Sequence, residues 1–153
     1  MIIRKAAKNE LSVILELQKR AFYSEAVFYN DFTIPPLNQS IEEIEREFTE
    51  KQFLVATINN IIIGSVRFNN IDTTGYIGKL IVSPDHQNKG IGRTLLQEAE
   101  KNLQSVSRIE LFTGEKSLKN IRLYQSLDYT IISSIPDTDK VTLVLMQKTI
   151  TRV

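Results

Sequence analysis

Apolar positions along this chain change their period several times, and each change marks an element. Ile2 to Lys5 is a short β-branched run, which predicts a strand. From Asn9 the spacing turns helical: Leu11, Ile14, Leu15 and Leu17 fall near one face, with Asn9 or Ser12 available as cap. Pro35-Pro36 ends any helix before it. Ser40, with Glu43 three residues on, forms a capping box for a second helix that carries Ile41, Ile44 and Phe48. Gln52 to Ile58 and Ile61 to Phe68 read as strands joined at Asn59-Asn60, a dipeptide suited to a tight hairpin. Tyr76 to Val82 is mostly apolar, which suits a central strand.

The stripe Ile91, Leu95, Ala99 and Leu103 then predicts a helix to about Gln104. Arg108 to Thr113 returns to strand and Ser117 to Leu127 to helix. Thr130 to Ile135 and Val141 to Gln147 close the chain as strands around the turn Pro136-Asp137-Thr138-Asp139. The order β-α-α-β-β-β-α-β-α-β-β predicts an α+β fold, a mixed central sheet of about seven strands with helices on both faces. Tyr76 to Thr113 should be a right-handed crossover between parallel strands. No repeat, linker or low-complexity tract divides the chain, so one domain over residues 1–153 is expected.

Composition narrows the chemistry. A net charge of +1 gives no whole-protein case for nucleic acid or membrane as partner. The absence of cysteine removes disulfides, thiolate metal sites and thiol nucleophiles, and the single histidine, His86, rules out a histidine-rich metal centre; carboxylate sites stay open on composition, and no metal is expected. No apolar stretch is long enough to span a bilayer and the N-terminus lacks a signal-peptide core, so a cytoplasmic location is the default expectation.

One segment concentrates functional signal: Leu80-Ile81-Val82-Ser83-Pro84-Asp85-His86-Gln87-Asn88-Lys89-Gly90-Ile91-Gly92-Arg93. A strand ends, a polar loop closes on two glycines, and a helix begins, which makes a cradle of backbone N–H groups suited to an anion. It is not a P-loop, because Gly92 is followed by Arg93-Thr94. It is not a dinucleotide fingerprint, because Leu95 stands where a third small residue belongs.

The pattern Gln87-x-x-Gly90-x-Gly92 after Leu80-Ile81-Val82 resembles the acetyl-CoA-binding motif of the GCN5-related N-acetyltransferases, the GNAT superfamily, and the element order is similar over nearly the whole chain. The resemblance implies that acetyl-CoA is the co-substrate. Its pyrophosphate would lie on the N–H groups of Asn88, Lys89, Gly90, Ile91, Gly92 and Arg93, with Gln87, Lys89 and Arg93 adding side chains. Leu80, Ile81 and Val82 would pair with the pantetheine arm. A β-bulge would free an N–H, assigned to Leu80, as oxyanion donor.

Phe112 to Tyr129 resembles the family's later motif. It implies that Tyr124 is the general acid, and Asn120 becomes a candidate cofactor contact. Ser117 and Asp128 replace the family's usual asparagine and glycine. Glu25 is the candidate base, among Phe22, Tyr29 and Asp31 as candidate acceptor-binding residues. The acceptor is expected to be a small-molecule or peptide amine. A homodimer through the closing strands is left open by the resemblance. The competing readings are a non-catalytic acyl-CoA sensor of the same fold and an interaction protein that binds no ligand.

Overall fold

Side-chain alternation sorts the strands between two cores. In β2 (Gln52–Ile58), Phe53 and Val55 turn to one face while Leu54 and Ala56 turn to the other. The computed structural model describes residues 1–151, so positions 152 and 153 of the expected domain span lie outside the described residues. Six further strands, β1 (Ile2–Lys5), β3 (Ile61–Ile71), β4 (Thr74–Val82), β5 (Arg108–Gly114), β6 (Thr130–Pro136) and β7 (Thr142–Thr149), complete one sheet in the order β1-β2-β3-β4-β5-β7-β6. All neighbouring pairs are antiparallel except β4 and β5. The expected mixed sheet of seven strands is therefore present.

On one face α4 (Ile91–Asn102) and α5 (Leu118–Ser126) bury Leu95, Leu96, Ala99, Ile121 and Tyr124 against the sheet. On the other, α1 (Leu11–Tyr29) and α3 (Ile41–Glu50) enclose Leu11, Ile14, Leu15 and Ile44 with Phe53 and Val55. The end of α1 meets the short α2 (Pro35–Asn38) and β7 in a smaller cluster of Ala26, Tyr29, Ile34 and Val141. No helix among the described residues is long and apolar enough to cross a membrane.

Local chemistry explains the boundaries. The Asn59-Asn60 hairpin has both residues at positive φ, 51° and 65°, as a primed turn requires. The capping box at Ser40 is reciprocal, with Glu43 N–H donating to Ser40 Oγ and Ser40 N–H donating to Glu43 Oε1, both at 3.1 Å. Neither Asn9 nor Ser12 caps α1. Lys8–Glu10 instead forms a 3₁₀ turn that runs into the helix, with Ala7 N–H donating to Glu10 Oε1 at 2.8 Å. Pro35 begins a helix as well as excluding one before it, since it occupies the first turn of α2, where a missing N–H costs nothing. Asp128 takes the left-handed conformation, φ 75°, that the family's glycine would hold.

Candidate active site

β4 and β5 are bonded only at their beginnings. Thr74 pairs with Arg108, Gly75 with Ile109 and Tyr76 with Glu110, and beyond these the parallel register stops. From Ile77 to Val82, β4 keeps β3 as its only strand neighbour, while Leu111 to Gly114 pair only with β7. The sheet opens as a V at its centre. An extended ligand can lie along the exposed edge of β4 and take the hydrogen bonds a strand would have made.

The bulge expected on β4 is present. Arg67 pairs with Gly78 and Ser65 with Ile81, so Val66 alone faces both Lys79 and Leu80. Lys79 sits at φ 48°, the left-handed bend of the bulge. Leu80 and Val82 turn toward the α4 core.

Where β4 ends, Ser83 N–H donates to the Ile63 carbonyl at 2.7 Å and Gln87 Nε2 to the Val82 carbonyl at 3.3 Å, which pins both ends of the loop. Asn88 and Gly90 both have positive φ, 63° and 80°. Gly90 is the N-cap of α4 and no side chain caps it, so the first N–H groups of the helix remain available for a ligand. A Cβ at Gly92 would meet nothing closer than 3.8 Å, its neighbours there being Leu123 and Val82. Lys89 is exposed, and exposed Arg93 donates to Ser126 Oγ at 2.7 Å, which ties α4 to α5. His86 lies in a 3₁₀ turn of this loop with its Nδ1 buried. Uncapped N–H groups, an unpaired strand edge and nearby cations fit a phosphorylated, extended ligand.

At the mouth of the V, residues from both faces of the sheet meet. Tyr29 O–H accepts from the Lys116 N–H at 2.9 Å and lies 3.2 Å from Ser117 Oγ. Ser117 Oγ lies 3.2 and 3.0 Å from the two Glu25 oxygens. The carboxylate accepts only, so the Ser117 proton goes to Glu25 and the Tyr29 proton goes to Ser117. This polarised chain holds the Glu25 carboxylate near Tyr124. The Tyr124 side chain is 7% exposed, packs edge-on against Tyr129 with ring centroids 6.1 Å apart, and makes no hydrogen bond to another described residue through its hydroxyl. Burial, and then the negative charge of Glu25, push its pKa well above the usual tyrosine range, so the phenol stays protonated near neutral pH.

Gly114 makes the chain possible. A Cβ there would lie 2.2 Å from the Tyr29 hydroxyl and 2.9 Å from Ser117 Oγ.

The other acceptor-side candidates separate. Phe22 packs with Ala26 and Tyr29 in the cluster at the end of α1. Asp31 accepts from the Thr138 hydroxyl, from the Thr33 hydroxyl at 2.5 Å and from Thr33 N–H at 2.9 Å, which lowers its pKa from the ordinary aspartate value and fastens the loop after α1 to the β6–β7 turn. Asn120 is half-buried in the first turn of α5. Of the glutamates on α3, Glu42, Glu43, Glu45 and Glu50 are exposed, whereas Glu47 is half-buried and pairs with buried Arg67 at 2.6 Å. A charged residue inside the apolar β3 run was the available signal for that pair.

The acetyltransferase (GNAT) family matches residues 12–129. An L-methionine sulfoximine/L-methionine sulfone acetyltransferase of Salmonella typhimurium is 28% identical over 89% of this chain and 84% of its own length. The L-amino acid N-acyltransferase MnaT of Escherichia coli is 27% identical over 89% of this chain and 83% of its own. Among solved structures, a Streptococcus mutans protein superposes with a TM-score of 0.83 at 17% identity, covering 97% of this chain and 99% of that one. The yncA protein of Salmonella typhimurium, solved with its cofactor acetyl-CoA, gives 0.75 at 24% identity over 100% of this chain and 95% of that one.

Proposed function

Because the chain belongs to the acetyltransferase (GNAT) family, we propose that it transfers an acetyl group from acetyl-CoA to the amine of a small, amino-acid-like acceptor by direct attack. The relatives named for acting on L-methionine sulfoximine, L-methionine sulfone and L-amino acids support the acceptor class. The observation that carries the mechanism is the meeting of Glu25, Ser117 and Tyr124 at the open end of the β4–β5 gap. When bound, acetyl-CoA supplies an activated thioester acetyl group.

The chain's own residues do the rest. The uncapped N–H groups of Ile91, Gly92 and Arg93, with Asn88, Lys89, Gly90 and the side chain of Gln87, hold the pyrophosphate at the start of α4. Leu80, Ile81 and Val82 offer backbone groups to the pantetheine arm, and Asn120, in the first turn of α5, adds a side-chain contact to the cofactor. Glu25, held by Ser117, takes the proton of the acceptor ammonium, while Phe22, Tyr29 and Asp31 shape and brace that side of the site. The Leu80 N–H, at the bulge, donates to the oxygen that gains negative charge. Tyr124 gives its proton to the departing sulfur.

The acid and the base are coupled. The negative charge of Glu25 is one of the two causes that raise the Tyr124 pKa. Once Glu25 takes up a proton that cause vanishes, so accepting the amine proton makes Tyr124 a stronger acid when the sulfur needs one.

Calorimetry with acetyl-CoA, followed by release of free thiol across a panel of amino acids and simple amines, tests the reading. Tyr124→Phe should lower kcat about a hundredfold while acetyl-CoA affinity stays within a small factor. An unchanged kcat at every pH would sink the acid assignment. Glu25→Gln should alter the pH–rate profile and lower the Tyr124 pKa in a tyrosinate absorbance titration. A profile identical to the parent's would sink the base assignment.

A further inference from the structure

Under α1 and α3 the sheet carries a knot of charge that the transfer chemistry leaves unused. The Arg67 side chain is 1% exposed, and its guanidinium lies 4.6 Å over the Phe53 ring. It donates to Gln18 Oε1, to Gln39 Oε1 at 3.1 Å and to Glu47 Oε1 at 2.6 Å. Glu47 Oε1 also accepts from Gln39 Nε2 at 2.9 Å, and Oε2 pairs with Lys51 Nζ at 3.0 Å. Both oxygens of this carboxylate are therefore taken.

A third cation belongs to the same knot. Lys79 is the left-handed residue of the β4 bulge, next in sequence to Leu80. Its half-buried ammonium interacts with Glu47, Arg67, Lys51 and Glu43, which places it on the face of α1 and α3. Burial pulls its pKa down. Glu47 and Glu43 oppose this, and Arg67 and Lys51 add to it. Among the described residues no carboxylate reaches ion-pair distance of Lys79 Nζ. Glu43 is occupied in the cap of α3. Three cations thus share one saturated carboxylate, and the surplus positive charge stands beside the bulge where the acetyl carbonyl is proposed to bind.

We propose that Lys79 is a specificity residue that reads a carboxylate on the acceptor, an inference that rests on the transferase reading above. The bulge is what allows it. Without the extra residue, a side chain next to Leu80 would follow strict alternation along the strand. With it, Lys79 turns to the side of the sheet covered by α1 and α3, the helix α1 also carrying Phe22, Glu25 and Tyr29, while its backbone stays beside the Leu80 N–H. In this proposal Glu25 takes the ammonium of the acceptor and the Lys79 ammonium takes its carboxylate. A free amino acid presents both complementary charges at once. A carboxylate there also supplies the anion that the knot lacks, which its desolvated cations favour.

The test compares kcat/KM for L-leucine, L-methionine and L-phenylalanine with kcat/KM for their carboxamides in the parent, Lys79→Gln and Lys79→Arg. The parent should prefer the carboxylates at least tenfold, Lys79→Gln should bring the ratio within threefold mainly through KM, and Lys79→Arg should restore much of it. Each ratio is taken within one preparation, so a partly misfolded variant does not distort it. A parent without preference, or a Lys79→Gln variant that keeps it, overturns the proposal. If neither series releases thiol, the transferase reading fails by itself. Lys79 is then judged by ligand-detected NMR on the CoA-loaded protein. Saturation transfer to L-leucine that is lost in Lys79→Gln sustains the proposal, and equal transfer in both proteins overturns it.

Discussion

Replacing Glu47 with glutamine removes the one carboxylate that three cations share. Glu47 is pushed up by burial, yet Arg67, Gln39, Lys79 and Lys51 together bring its pKa to about 2 from an ordinary 4.5. At about 1.36 kcal/mol per pKa unit that difference corresponds to about 3 kcal/mol of folding stability at neutral pH. Desolvation of Arg67, which lowers that group's own pKa, works against the sum. Loss of the partner, however, leaves the Arg67 guanidinium buried with only amide oxygens around it. We therefore expect Glu47→Gln to cost about 2–4 kcal/mol, or a fall of about 5–10 °C in Tm for a chain of this size.

The pH dependence separates charge from shape. A depressed folded pKa stabilises fully above the unfolded value, here near 4.5, and the gain is lost as pH falls toward 2. The penalty of Glu47→Gln, read from urea denaturation followed by circular dichroism, should shrink by about 1.4 kcal/mol between pH 7 and pH 3.5. The double variant Glu47→Gln/Arg67→Met should recover part of the loss, because an apolar side chain over Phe53 needs no counter-charge. A penalty under about 0.5 kcal/mol at pH 7, or one that stays constant with pH, would refute the reasoning.

Two further outcomes follow from the glycines. Gly114→Ala drives a Cβ to within 2.2 Å of the Tyr29 hydroxyl, so it should break the Tyr29–Ser117–Glu25 chain and lower kcat about tenfold or more, with acetyl-CoA affinity by calorimetry largely kept. An unchanged pH–rate profile would show that the chain does not position Glu25. Gly90→Ala forces an alanine to φ 80° and should cost about 1–2 kcal/mol and weaken acetyl-CoA binding. Gly92→Ala, whose methyl group meets nothing closer than 3.8 Å, should bind acetyl-CoA nearly as the parent does, and equal losses in the two variants would show that backbone angle is not what selects Gly90.

The fold was legible because its elements are encoded locally. Period changes marked every strand and each of the longer helices, the Asn59-Asn60 turn announced its positive φ angles, and Ser40 with Glu43 announced a cap. Boundaries set by tertiary contact were not legible in the same way. The 3₁₀ lead into α1 depends on Glu10 being held by Arg4 at 2.8 Å, a pairing between the end of a strand and a turn that no spacing rule predicts.

The candidate site divides along the same line. Gln87, Gly90 and Gly92 form a contiguous motif, and a contiguous motif survives as sequence. Glu25 and Ser117 are 92 positions apart and join only because the sheet opens between β4 and β5. Their partnership is a property of topology, as is the joining of Gln18, Gln39, Glu47 and Arg67 from four separate segments. Lys79 shows why such relations stay hidden. On alternation alone it is a polar interruption in an apolar strand. Only the register, with Val66 facing two residues instead of one, places its ammonium on the face of α3 and its backbone beside Leu80. The proposed donor side is a contiguous motif along the chain, and the proposed acceptor side required the third dimension, because the charge selection proposed for Lys79 depends on which cation stays outside ion-pair distance of a carboxylate after folding.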